Sequence, residues 1–138
     1  MNDTFKKTKK EFYKIIEEKI ANISKEDLIQ KSKNIILNIS KNIDTNFNGY
    51  YDKINVNRKY LNNEIKPREL RKEIHRLMFE AKREKDPLKE RVIWATLYAL
   101  STCKNKKNFI FSILFMLDAC KLSKNDEEIR TIVDAIKI

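Results

Sequence analysis

The scarcity of glycine and proline is the feature that most restricts what this chain can fold into. Its 138 residues include one glycine, Gly49, and two prolines, Pro67 and Pro87. Tight turns and phosphate-binding loops need glycine, whereas helix interiors disfavour both residues. The sequence therefore predicts long helices, and its length fits a single domain that covers residues 1–138.

Apolar residues recur at helical spacing in six segments, which are bounded by turn or capping residues. The predicted helices run from about Asp3 to Asn22, Ser24 to Thr45, Pro67 to Lys85, Pro87 to Cys103, Asn108 to Lys121, and from Asn125 onward. Ser24 and Asp86 are the predicted N-caps of the second and fourth helices. The tyrosine- and asparagine-containing segment 46–63 is predicted to be the longest loop.

The fifth predicted helix contains the most apolar stretch of the chain, FIFSILFML at residues 109–117. This stretch is much shorter than the roughly 20 residues that cross a bilayer, so no membrane insertion is expected. A short helix that is apolar on all sides is typical of the centre of a bundle. We therefore expect an all-α fold, a single helical bundle of five to six helices with a central hydrophobic helix at about 108–121. Four aromatic residues are expected in its core: Trp94, Phe109, Phe111 and Phe115.

The chain is strongly basic, with 30 lysine and arginine residues against 20 acidic residues and a formal net charge of +10. This charge favours polyanionic partners such as nucleic acid, anionic lipid or an acidic protein surface. Lysine, asparagine and isoleucine are all abundant, as codon bias in an AT-rich genome produces by itself. The placement of arginine is therefore more informative than the lysine total.

The two cysteines indicate a reducing compartment. Cys103 and Cys120 lie in apolar helical surroundings, where thiols usually behave as small core residues. No apolar stretch follows the N-terminal lysines, so no signal peptide is visible. We expect a cytoplasmic protein.

The third predicted helix, PRELRKEIHRLMFEAKREK, sorts its side chains by chemistry. At about 100° per residue, one side is apolar and is expected to pack into the bundle: Leu70, Ile74, Leu77, Met78 and Ala81. The opposite side is the basic stripe, which consists of Arg68, Lys72, His75, Phe79 and Lys82 with Arg76 and Arg83 on its flanks. Four glutamates gather on one flank between the two sides: Glu69, Glu73, Glu80 and Glu84.

The basic stripe is suited to a nucleic-acid backbone. Arginine offers a planar fork to phosphate, lysine a mobile charge, and an exposed Phe79 can stack on an unpaired base. Lys104, Lys106 and Lys107 are predicted to extend this contact or to keep their loop soluble. Two other interpretations are a solvated face with ion pairs between residues four apart, and burial of Phe79 against the tyrosine-containing loop.

Most classes of catalytic site are excluded by the residues present. His75 is the only histidine, which rules out sites with two or more histidine ligands, and we predict no metal site and no cofactor. Arg68 and His75, with six residues between them, resemble the Arg-x4-6-His motif of HEPN ribonucleases, which are all-helical domains of similar length. The resemblance covers these two residues only and implies a general acid or base role.

The sequence thus predicts a non-enzymatic protein that binds RNA or DNA through the phosphate backbone. We expect an accessory subunit of a nucleoprotein complex, with the basic stripe as its main contact. The alternative is a protein-interaction adaptor or inhibitor, of phage or host type, that presents the same stripe to an acidic protein partner. Binding to an anionic membrane surface would need several exposed aromatic residues beside lysine, and only Phe79 fits that description.

Overall fold

The structure, a computed structural model, describes residues 9–43, 56 and 58–122. The helices in this part of the chain are α1 (Lys9–Ile20), α2 (Lys25–Ile43), α3 (Pro67–Arg83), α4 (Pro87–Leu100), a 3-10 helix (Ser101–Cys103) and α5 (Lys107–Leu122), and residues 58–61 form a further helical turn. The described residues contain no strand. The predicted all-α fold is confirmed, whereas the helix predicted from Asn125 onward and most of the predicted loop lie outside the described residues.

The capping residues determine where two of the helices begin. The Ser24 Oγ accepts a hydrogen bond from the backbone N–H of Asp27 at 3.2 Å, just before α2. At the start of α4, Oδ1 of Asp86 accepts from the backbone N–H of Leu88 at 3.1 Å. Both prolines stand in the first turn of a helix, where a missing amide hydrogen breaks no intrahelical bond. Both predicted N-caps are therefore confirmed.

Helix α5 is the central helix of the bundle. It contacts α1, α2 and α4, with α4 as its most extensive neighbour, and α3 packs on α4. Its buried residues are Phe109, Ile110, Ser112, Ile113, Met116, Leu117, Ala119 and Cys120. Although α5 is so apolar, none of the helices within 9–43 and 58–122 has the length and hydropathy that a membrane span requires.

A serine side chain allows α4 and α5 to approach closely. Ser112 of α5 is fully buried, and its hydroxyl donates to the backbone carbonyl of Ala95 in α4 at 2.7 Å. A serine is short enough to lie between two helix backbones, and the hydrogen bond satisfies a hydroxyl that burial removes from water. The contact between α4 and α5 thus combines close packing with a specific polar bond.

The other buried hydroxyls bond to backbone carbonyls one turn earlier in the chain. Ser32, Thr96, Ser101 and Thr102 each donate to the carbonyl four residues earlier, at 2.9 to 3.0 Å. Such local bonds satisfy a buried hydroxyl without a partner from a distant part of the chain. Among the buried hydroxyls of the described residues, Ser112 is therefore the one whose bond reaches beyond the adjacent turn and joins α4 to α5.

The exposure of Phe111 differs from the sequence prediction. Phe109 is buried as expected, but Phe111 is 38% exposed, and Trp94 and Phe115 are only partly buried. The reason is that the described helices leave one side of α5, the side of Phe111 and Phe115, partly open. The assignment of Phe111 to the core is therefore wrong, while Trp94 and Phe115 pack at the edge of the core.

Replacement of Ser112 tests the close contact between α4 and α5. Ser112→Ala removes one buried hydrogen bond and should lower the free energy of unfolding by about 1 kcal/mol. Ser112→Leu forces extra volume between two packed helices and should lower it further, by about 1–3 kcal/mol relative to alanine. Urea unfolding followed by circular dichroism measures both values.

The control for this comparison is an exposed residue at the end of the same helix. Lys121→Leu should change the free energy of unfolding by less than about 0.5 kcal/mol, because Lys121 is exposed. If the leucine variant at position 112 is as stable as the alanine variant, the two helices are not closely packed there.

Candidate nucleic-acid interface

Helix α3 has one buried side and one exposed side, as its side-chain pattern predicts. Leu70, Leu77 and Ala81 are buried, and Ile74 and Met78 pack against the core. Since α3 packs mainly on α4, the opposite half of its circumference is turned to solvent. The apolar side of α3 therefore fixes the direction in which its charged side points.

All members of the basic stripe are exposed: Arg68, Lys72, His75, Phe79 and Lys82, together with Arg76 and Arg83. Phe79 is 57% exposed, the largest value for a large apolar side chain in the described part of the chain. The interpretation in which Phe79 is buried against the tyrosine-containing loop is therefore wrong. The ring lies at the surface in the middle of a row of cations.

The basic stripe is long enough to contact several phosphates. At a rise of 1.5 Å per residue, Arg68 and Lys82 are about 21 Å apart along the helix axis. Members three or four residues apart have Cβ atoms about 5–6 Å from one another. Because one strand of a duplex has a phosphate every 3.4 Å along the axis, the stripe spans about six phosphates.

Two arginines of the stripe contact other side chains of α3. Nη1 of Arg76 lies 3.1 Å from Oε1 of Glu73, an ion pair of the kind expected for a solvated face. The guanidinium carbon of Arg83 lies 4.2 Å from the ring centroid of Phe79, which is cation–π geometry. Arg83 thus covers one face of the ring, and the exposed remainder of Phe79 is available to another planar group.

The three lysines between α4 and α5 have different surroundings. Lys104 and Lys107 are exposed, whereas Lys106 is partly buried and its Nζ donates to the backbone carbonyl of Ala21 at 3.3 Å. This bond ties the connection between α4 and α5 to the end of α1. Lys106 therefore has a structural contact, and Lys104 and Lys107 are the exposed charges of this connection.

The residues that resemble the HEPN motif lie on the same side of α3. Arg68 and His75 are both exposed and are separated by about two helical turns. The arrangement brings both side chains to the basic stripe. Their position is equally suited to binding a phosphate backbone without catalysis.

The cysteines and His75 do not form a common site. Cys103 and Cys120 are buried core residues, as predicted, whereas His75 is exposed on α3. Within 9–43 and 58–122, no three His, Cys, Asp or Glu side chains are grouped so that they could hold a metal ion. Burial raises the pKa of the Cys103 thiol, which therefore stays protonated and weakly nucleophilic near neutral pH.

A second surface, the aromatic groove, lies between α1 and α5 and was not predicted from the sequence. It has a volume of about 540 Å³ and is lined by Lys10, Tyr13, Lys14 and Glu17 of α1 and by Phe111, Leu114, Phe115 and Asp118 of α5. The ring centroids of Tyr13 and Phe111 are 5.7 Å apart. Within α5, which is apolar on every side, the sequence pattern did not distinguish this side from the buried one.

Comparisons with protein-family models, with curated proteins and with solved structures each found no match for this chain. The fold and the basic stripe define a basic all-helical protein. Its helix α3 exposes cationic side chains on one side and carries glutamates on the neighbouring flank. The roles of the basic stripe and of the aromatic groove are therefore argued from their own geometry and chemistry.

A stability comparison checks that Phe79 makes no contribution to the core. Phe79→Ala should lower the free energy of unfolding by less than about 1 kcal/mol, because the ring is largely exposed. Leu77→Ala, two residues earlier on the buried side of α3, should lower it by about 2–5 kcal/mol. Urea midpoints of the two variants test this, and similar losses for both would show that Phe79 is a packing residue.

Proposed function

We propose that this chain binds RNA or DNA through the phosphate backbone, with the basic stripe of α3 as its main contact. The observation that supports the proposal is the division of α3 into a buried apolar side and an exposed side of cations around Phe79. Arginine and lysine heads bind phosphate oxygens by charge-assisted hydrogen bonds. A row of such groups along one helix matches the repeating charge of a nucleic-acid strand.

The glutamates beside the basic stripe would restrict the path of a bound nucleic-acid strand. Glu73 and Glu80 are partly buried on one flank of α3, and Glu69 is exposed at its start. Carboxylates repel phosphates, so a strand that leaves the stripe toward this flank is disfavoured. The strand is then confined to the line of cations that runs along α3.

Phe79 would add contacts with unpaired bases. Arg83 already lies against the ring, which reduces the freedom that the ring loses when a base stacks on it. Stacking tolerates any base, because every base has a π-face. This chemistry favours single-stranded nucleic acid in the neighbourhood of Phe79 and gives no strong sequence preference.

We further propose that the protein is not a catalyst and acts as an accessory subunit of a nucleoprotein complex. The buried cysteines are poor nucleophiles, and His75 can contribute one hydrogen bond to a phosphate in either of its ring tautomers. The alternative function is that of an adaptor or inhibitor that places the same stripe on an acidic protein. The packing of Arg83 on Phe79 favours that alternative, because arginine and aromatic residues are frequent at the centres of protein interfaces.

Removal of charge from the stripe should weaken binding more than removal of the same charge elsewhere. The stripe variant is Arg68→Gln, Lys72→Gln and Lys82→Gln combined. The control variant is Lys19→Gln, Lys59→Gln and Lys121→Gln, three exposed lysines of other segments. Each variant lowers the formal net charge by three, from +10 to +7, so long-range attraction falls equally in both.

Fluorescence anisotropy with single-stranded RNA, duplex RNA and duplex DNA across a salt series measures the difference. Contact with about five phosphates predicts a slope of log K against log salt near −4 for the wild type. The stripe variant should bind at least about tenfold more weakly and should lose roughly two to three units of slope, whereas the control keeps its slope. Equal losses in both variants, absence of binding at low salt, or cleavage of the RNA probe would contradict the proposal.

The aromatic ring should matter for single strands and not for duplexes. Phe79→Leu keeps an apolar side chain and removes the stacking surface, so affinity for single-stranded RNA should fall by about 1–3 kcal/mol, or roughly 5- to 150-fold. Affinity for duplex DNA should stay within about twofold, because paired bases cannot reach the ring. A loss of the same size for both probes would mean that Phe79 acts through the position of Arg83 and not by stacking.

A further inference from the structure

The aromatic groove is a surface with its own chemistry, distinct from the basic stripe. Its floor consists of Tyr13, Phe111, Leu114 and Phe115. Phe111 is 38% exposed, an unusual value for a residue in the middle of the central helix of a bundle. An exposed aromatic floor of this kind is typical of a surface that another molecule covers.

Neighbouring rings hold the floor of the groove in place. Tyr98 of α4 lies beneath it, with ring centroids 5.3 Å from Phe111 and 5.5 Å from Phe115. Trp94 stacks on Phe115 at 6.1 Å, and Tyr13 contacts Phe111 from α1. Rings that are already packed lose little freedom when a partner binds, so the groove is preorganised for a macromolecular contact.

The charges around the groove balance one another. Lys10 and Lys14 stand against Glu17 and Asp118, two cations and two anions, in a molecule whose formal net charge is +10. A net positive charge makes two copies of the chain repel each other at long range, whereas the lining of the groove adds no net charge to that repulsion. Two copies that meet at the groove therefore bring no net like charge together among its lining residues.

The α1 side of the groove is complementary to itself. Lys10, Tyr13, Lys14 and Glu17 lie on one side of α1, at spacings of three, four and seven residues. If two copies of α1 meet in antiparallel orientation about a two-fold axis between positions 13 and 14, Lys10 of each copy lies opposite Glu17 of the other. The same operation places Tyr13 opposite Lys14, which suits a cation–π contact.

We propose that the aromatic groove is the interface of a symmetric homodimer. The interface combines an apolar aromatic centre with a charged rim, which is the usual composition of a protein–protein contact. Tyr13 and Phe111 lie at the centre, and the two pairs of Lys10 with Glu17 lie at the rim. The proposal is independent of the proposed function, because neither residue pair belongs to the basic stripe.

Charge exchange at the rim tests this arrangement. Lys10→Glu and Glu17→Lys each place like charges opposite one another on both sides of the axis, and each should raise the dimer Kd by about tenfold or more. The double variant, Lys10→Glu with Glu17→Lys, restores opposite charges and should restore the dimer. An equal mixture of the two single variants should form a dimer that contains one copy of each.

Sedimentation velocity of the full chain over a concentration series, without nucleic acid, gives the dimer Kd. Lys10→Glu places a negative charge near the N-terminus of α1, and Glu17→Lys places a positive charge near its C-terminus. The helix dipole favours both changes, so a weaker dimer cannot result from a weaker helix. Circular dichroism checks the helix content. Glu18→Lys and Lys19→Glu, at exposed positions of α1 outside the groove, are the matched controls and should leave the Kd within about twofold.

Two outcomes would overturn the dimer. One is a wild-type chain that stays monomeric at every concentration, in which case the groove is left to a helix of another protein or to a small apolar ligand. The other is a dimer whose Kd does not respond to the single exchanges, or that the double variant and the mixture do not restore. The anisotropy measurements on the stripe variant are unaffected by either result, so failure here and failure of the proposed function are separable.

Discussion

The close contact between α4 and α5 is the constraint on which the rest of the structure depends. Helix α5 receives α1 and α2 on its other sides, and α4 carries α3 on its outer side. The hydrogen bond from the hydroxyl of Ser112 to the carbonyl of Ala95 lies between the two helices that make both sets of contacts. A larger side chain at position 112 would separate them and would move α3 relative to the bundle.

This arrangement explains why the charged helix lies at the edge of the molecule. α3 packs mainly on α4 through one side, on which Leu70, Leu77 and Ala81 are buried. The remaining half of its circumference is exposed, and the arginine and lysine heads there keep their hydration. A charge buried without a partner would cost several kcal/mol, and a helix with neighbours on several sides could not carry so many cations.

Local signals made the helix boundaries and the division of α3 predictable. Ser24 and Asp86 cap the backbone within three residues of their own position, and the two sides of α3 differ in residue type at every turn. The open side of α5 was not predictable in this way. Phe109 and Phe111 are the same residue type on nearly opposite sides of one helix, and the placement of the neighbouring helices decides which is buried.

Long-range contacts were equally invisible in the sequence. The bond from Lys106 to the carbonyl of Ala21 joins residues 85 positions apart and removes one lysine from the set of exposed charges. The order of charges in α1 indicates nothing by itself. It becomes informative only beside Phe111 and Phe115 of α5, and the sequence does not show that these residues are neighbours. Sequence patterns report the side of a helix that is apolar, whereas a groove depends on which two helices are neighbours.

The two exposed phenylalanines of the described residues show how the same side chain has different surroundings in the two surfaces. Phe79 contacts the guanidinium of Arg83 on its own helix, so its ring is held among cations. Phe111 contacts Tyr13 and Tyr98, so its ring is held among other rings. The proposed partner of Phe79 is planar and brings negative charge, as a nucleotide does. The proposed partner of Phe111 is a second copy of this chain, which would bring an apolar surface and a matching rim of balanced charge.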